Sequence, residues 1–113
     1  MDTITIDDFQ RVDIRVGRIV SVEDFSKARR PSYRLTVDFG PELGRRRSAA
    51  QLTEDYSPEQ LLDQYCLAVV NLPPRNIAGF SSEVLLLAVP RQGDGTLSLV
   101  RPVDPAVLGG RLY

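Results

Sequence analysis

A chain with no histidine and a single cysteine lacks the commonest general base and the usual nitrogen ligand for metals. Serine–histidine and cysteine–histidine nucleophiles cannot be assembled from it. The neighbouring Ser81 and Ser82 have no lysine close in sequence to activate them instead. Cys66 sits in the apolar run YCLAVV, the setting of a buried thiol, and alone it can form neither an internal disulfide nor a cysteine metal cluster. The reading is of a protein that is not an enzyme, with no catalytic residue, metal or cofactor. The residues left for chemistry are arginines, thirteen of the 14 basic residues. They gather in KARR (Lys27 to Arg30) and RRR (Arg45 to Arg47), and one stands in the loop NLPPRNIAGFSSEVLLLA (71–88), directly before an apolar run. Acids collect in the first eight residues and around Glu54 and Asp55, so a net charge of −1 conceals a polarised surface.

The elements that must position these residues are those of a small globular domain. A chain of 113 residues with 42% hydrophobic and 26% charged residues is read as one domain, 1–113, able to build its own core. No apolar stretch approaches the ~18 residues that span a bilayer, and the acidic start MDTITIDDF is unlike a signal peptide. A cytoplasmic protein with no membrane insertion is expected.

Thr5 and Asp8 predict an N-cap for a helical turn through Phe9 and Gln10, within an N-terminal helical segment 1–10. VDIRVGRIVSVE then alternates, with Val12, Ile14, Val16, Val20 and Val22 on one face, and Gly17 marks the expected bulge or bend. YRLTVDF alternates again, turning Tyr33, Leu35, Val37 and Phe39 inward. GPELG reads as a turn, and RRRSAAQL as the returning third strand. YSPEQLLDQY carries a helix start: Ser57 as N-cap, Pro58 at the first helical position, Gln60 closing a capping box, and Tyr56 with Leu61 as a staple. CLAVVNL and EVLLLAV read as strands covered on both faces, RQGDGT as a hairpin turn, and LSLVRP as a last short strand opening a C-terminal extension, 97–113.

Three strands, one short helix and two more strands fit an all-β fold, the five-stranded Greek-key OB-fold barrel, with its N-terminal helical turn and C-terminal extension. A ferredoxin-like domain, the main competitor, needs a helix between the first two strands, and the proline of KARRP opposes one there.

VDIRVGRIVSVEDF, YRLTVDFG, SAAQLTEDYSPEQL and NLPPRNIAGFSSEVLLLA together resemble the CsaA group of the tRNA-binding-domain family, over roughly residues 9 to 113. DIRVG and the spaced PR, I, G and SE residues are the specific parts. The loop FSKARRPS is more basic than the resemblance implies, and SAAQ stands where the family has a serine pair. The resemblance implies an OB-fold, a binding face in place of an active site, and a homodimer formed through the two chain ends. For the CsaA group it implies an export-related chaperone that binds unfolded or precursor polypeptides. For the wider family it implies a tRNA-binding module recognising tRNA shape or single-stranded RNA. A dimer gives a purpose to Ile4, Ile6 and Phe9, and to Leu108, Leu112 and Tyr113, which have no evident core to join.

In a barrel of this kind two loops and the face of the second and third strands form the oligonucleotide surface. Lys27, Arg29 and Arg30 fall in the first loop and Arg75 in the second, while Arg34 and Arg46 are assigned to the face. Phe25 and Phe80 lie on loops, as platforms for bases, as grips for apolar side chains, or as anchors over the barrel end. Asn76, Ser82 and Glu83 complete the candidate peptide- or RNA-binding set, the last two on the resemblance's SE motif. A structural task for Glu83, pairing with Arg75, stands beside that reading.

Overall fold

The structure is a computed structural model describing residues 1–113. Its first long strand, β1 (Ile14–Asp24), is shared between two partners. Residues 14–18 run antiparallel to β4 (Tyr65–Val69), and residues 18–24 run antiparallel to β2 (Tyr33–Asp38). A strand serving both sides of a barrel must bend, and the register slips between Ile19 and Ser21, which makes Val20 the bulged residue. The sequence-based choice of Gly17 is thereby corrected. Gly17 is buried beneath Val37 and Phe39, and a Cβ added there would lie 2.8 Å from Phe39 Cε1 and closer still to Val37. It permits close approach of backbone to side chain, the other reason for a glycine in a strand.

The slip also corrects the face assignment. Gly17, Ile19 and Val22 pair with Cys66, Val37 and Leu35 on the barrel's inner side, whereas Ile14 and Val16 point outward into a second apolar cluster with Leu67 and Val69. Val12 is exposed. The main core gathers Tyr33, Leu35, Val37 and Phe39 of the second strand, as the alternation predicts, around Ile19, Leu61 and Cys66.

After β2 the GPELG turn winds into one helical turn, α2 (Gly40–Leu43), and β3 (Arg45–Ala50) returns antiparallel to β2. α3 (Pro58–Leu61) follows, with both hydrogen bonds of its capping box formed between Ser57 and Gln60, and Leu61 fully buried. The N-terminal α1 (Ile6–Gln10) has a matching box between Thr5 and Asp8 but buries no residue. Helix is thus present as three single turns: the two expected at Thr5 and Ser57, and α2, where the sequence predicts a turn.

The loop from Asn71 to Glu83 and the apolar run behind it depart furthest from expectation. Residues 75–82 form a hairpin, β5 (Arg75–Ile77) and β6 (Phe80–Ser82), reversed at Ala78 and Gly79, both at positive φ. EVLLLAV is broken into β7 (Leu85–Leu86) and β8 (Ala88–Pro90), the latter paired with β9 (Leu97–Leu99). Leu85 and Val89 are half exposed, so this run is not covered on both faces; β4 is. The five-stranded antiparallel sheet has the order β3–β2–β1–β4–β7 and nearly closes on itself, an OB-like barrel. Closure falls between β3 and the β6–β7 segment. The Glu83 amide donates to Arg47 O at 2.8 Å, the Arg47 amide to Glu83 Oε1 at 3.0 Å, and the Ser48 hydroxyl to Val84 O at 3.0 Å.

The C-terminal extension lies against the free edge of the first half of β1. The Leu112 amide donates to Ile14 O and the Val16 amide to Gly110 O, each at 2.9 Å. Arg15 reinforces the seam, its guanidinium donating to Asp13 at 2.6 Å and to Gly109 O at 2.9 Å. Leu108 and Leu112 pack on the cluster of Ile14, Val16, Leu67 and Val69. The premise that these two leucines lack a core is corrected: their core is the outer face of their own barrel. Ile4, Ile6 and Tyr113 stay exposed and Phe9 is half-buried. No helix is long and apolar enough to cross a membrane.

Candidate functional site

The arginine clusters separated in sequence meet on one side of the barrel. The β1–β2 loop, the outer face of β2 and β3, and the β5–β6 hairpin enclose two neighbouring depressions of about 350 Å³ each. One is lined by Phe25, Lys27, Arg34, Arg47, Gly79 and Phe80 among others, with Asp24 at its edge. The second is lined by Arg29, Arg30 and Arg75 together with Ser32, Ala49 and Ile77. Lys27, Arg29, Arg30, Arg34 and Arg75 therefore stand where the sequence reading put them.

Arg46 does not. Register pairs it with Val37, an inward residue, and its Nε donates to Leu43 O at 3.3 Å, tying the start of β3 to α2. Arg47, opposite the outward Thr36, is the arginine that reaches the depression. Alternation through RRRSAA already separates Arg46 from Arg45 and Arg47. What the sequence lacks is the pairing that says which set faces out.

Phe25 and Phe80 are corrected as well. Neither is an open platform, since they are 5% and 7% exposed. Their rings meet in a tilted pair with centroids 5.4 Å apart, inclined at 59°, at the first depression. The guanidinium of Arg34 lies over Phe25 with Cζ 5.5 Å from the ring centroid, and that of Arg47 over Phe80 at 4.7 Å.

The remaining candidates have internal partners. Asn76 Oδ1 accepts from the Gly79 amide at 2.9 Å and braces the hairpin turn. Ser82 Oγ accepts from the Ala49 amide at 3.1 Å, and Glu83 closes the barrel through the main chain of Arg47, not through the Arg75 guanidinium. These three hold the wall of the site in place.

The electrostatics are one-sided. Of Lys27, Arg29, Arg30, Arg34, Arg47 and Arg75, only Arg34 has an acidic partner, Glu23 at 3.8 Å, and both side chains are substantially exposed. Arg34 Nε is buried with no hydrogen-bond partner. The unpaired lysine and arginines attract oxyanions and keep donors free to bind them, the enclosed Nε of Arg34 not among them. A further groove of about 220 Å³, missed in the sequence, lies along the barrel seam. It shares Ala49 and Gln51 with the second depression and is otherwise mainly apolar, lined by Leu52, Leu85, Leu86, Leu97 and Leu99.

A barrel of this topology with one cationic face defines a class of binding modules, and similarity to known proteins makes the class specific. Residues 14–111 match the family described as putative tRNA binding domain, and the chain belongs to that family. The CsaA chaperone of Picrophilus torridus is 40% identical, with a TM-score of 0.90 over 98% of this chain and 100% of that one. The CsaA chaperone of Bacillus anthracis is also 40% identical, with a TM-score of 0.89 over 99% and 100%. The methionine–tRNA ligase of Methanococcus vannielii is 34% identical over 113 residues, all of this chain but 16% of the ligase. The chain thus spans about one sixth of the length of the curated relatives it matches.

Proposed function

We propose that the chain is a non-catalytic RNA-binding module that takes up tRNA, or another RNA with unpaired segments, on its cationic face. The observation that supports this above all is the meeting of six cations from sequence-distant segments, five of them without an ion-pair partner, on one side of the barrel. Phosphate contacts of this kind position a nucleic acid irrespective of its sequence, and they weaken with salt. The family match and the likeness to a stretch of methionine–tRNA ligases support the same reading.

A second reading, a chaperone holding unfolded or export-destined polypeptides, is favoured by the apolar seam groove and by whole-chain likeness to CsaA chaperones. It loses the grip expected of Phe25 and Phe80, which are buried, but keeps exposed Leu85 beside the groove. In both readings the protein acts as a homodimer, with exposed Ile4, Ile6 and Tyr113 facing a second copy and doubling the site.

Titration of the purified protein against tRNA and against an unfolded client, at low and physiological ionic strength, tests the assignment. The RNA module binds tRNA in both conditions with an affinity that falls steeply as salt rises. Retained client binding with no measurable tRNA binding at either salt concentration overturns it in favour of the polypeptide reading.

A further inference from the structure

The phenylalanines of the first depression are under its arginines, and this order of layers carries a consequence for what the site can recognise. A guanidinium has two flat faces. The guanidinium carbons of Arg34 and Arg47 each stand over a buried ring, and both residues line the depression. Arg34 and Arg47 point outward from the paired strands as diagonal neighbours, since Arg34 stands opposite Ala49 and Thr36 opposite Arg47. A cation–π contact with a buried ring limits the rotation that an exposed arginine would otherwise have. Arg47 makes neither a salt bridge nor a side-chain hydrogen bond, while Arg34 reaches Glu23 at 3.8 Å through one terminal nitrogen and its Nε is enclosed without a partner.

We propose that Arg34 and Arg47, each backed by a buried phenylalanine, form a guanidinium platform on which unpaired nucleobases of a single-stranded RNA stack. The inference rests on the RNA-binding reading above and deepens it. Arginine planes stack bases as aromatic rings do, and here they replace the exposed aromatics that single-strand binders commonly use. Lys27 at the rim, with Arg29, Arg30 and Arg75 in the adjacent depression, is left to follow the phosphates. The ring beneath each guanidinium restrains it at the depression, which lowers the cost of ordering it when the ligand arrives.

Lysine tests this directly, because it keeps the charge and loses the plane. Wild type and the Arg34→Lys/Arg47→Lys double variant are titrated with a short single-stranded oligoribonucleotide and with an abasic oligomer of the same length. Unchanged circular dichroism and thermal midpoints confirm that the variant is folded. The platform predicts that wild type prefers the base-bearing oligomer. It further predicts that the double variant loses about tenfold affinity for that oligomer, while its affinity for the abasic one and its salt dependence move less than about twofold. Equal losses for the two oligomers, or no preference by wild type, overturn the platform while leaving phosphate-directed RNA binding intact. Binding of neither oligomer by wild type at low salt, with binding of an unfolded polypeptide instead, overturns the platform and the RNA reading together.

Discussion

Two buried residues translate local chemistry into measurable stability. Gly17 has no room for a methyl group, because Val37 and Phe39 already fill the space above it. Gly17→Ala should therefore cost roughly 1–3 kcal/mol through overpacking, read as a lower urea midpoint with an unchanged m-value. Cys66 is completely inaccessible, and burial pushes its thiol from an ordinary 9.0 up to about 12. The unfolded chain then gives up this proton first. The folded state holds the extra proton between those two values, so the stabilisation is complete below pH 9 and is lost as pH rises toward 12. Linkage makes this one group worth on the order of 1 kcal/mol between pH 8 and 10. Wild type should lose about that much more stability than Cys66→Ala over the interval. Parallel losses in the two proteins would refute a buried, protonated thiol. The site arginines were legible as residue types, but Arg47 was passed over for Arg46, because a run of three identical residues says nothing about which of its two faces looks outward.

The single-turn helices show why local signals carry unequal weight. Thr5 and Ser57 each form a complete capping box, yet α1 buries nothing while α3 seats Leu61 in the core. A cap matters to global stability only where its helix is fastened to the rest of the fold. Ser57→Ala should cost about 1 kcal/mol, and Thr5→Ala should leave the thermal midpoint nearly unchanged because α1 can fray independently. The same distinction explains what sequence could reveal of the architecture. YSPEQL names its own cap, and YRLTVDF names its own face, since both patterns are contained within a few residues. The bulge at Val20, the hairpin at 75–82 and the outward turn of Ile14 and Val16 are set by partners distant in sequence: β2, the barrel seam, and residues 108–112. Apolar character in β1 announced burial but could not say that its two halves serve separate clusters.

At the scale of the molecule, a net charge of −1 supplies little long-range attraction to a polyanion, so binding must arise from the one face where cations meet. If a protomer neutralises about four phosphates of a single strand, the logarithm of affinity should fall with the logarithm of salt at a slope of about −3. Arg75→Gln should make that slope shallower, while Arg101→Gln, outside both cationic depressions, should not; equal effects would mean that the charge acts diffusely. The dimer proposed above would form through the chain ends. Ile4 and Ile6 are 65% and 68% exposed, far more than the leucines of the C-terminal extension, which cover their own barrel, so the N-terminal segment is the sensitive place to test association. Ile4→Asp/Ile6→Asp should convert a dimer to a monomer in sedimentation while leaving the fold's spectrum unchanged, since neither side chain belongs to either core cluster. Two sites held together raise affinity for a ligand long enough to reach both, but not for one that fills a single site. The separated protomer should therefore bind a short oligomer as before and lose affinity only for tRNA or a long strand. A monomeric sedimentation coefficient for the wild type would remove the interface and the avidity argument together.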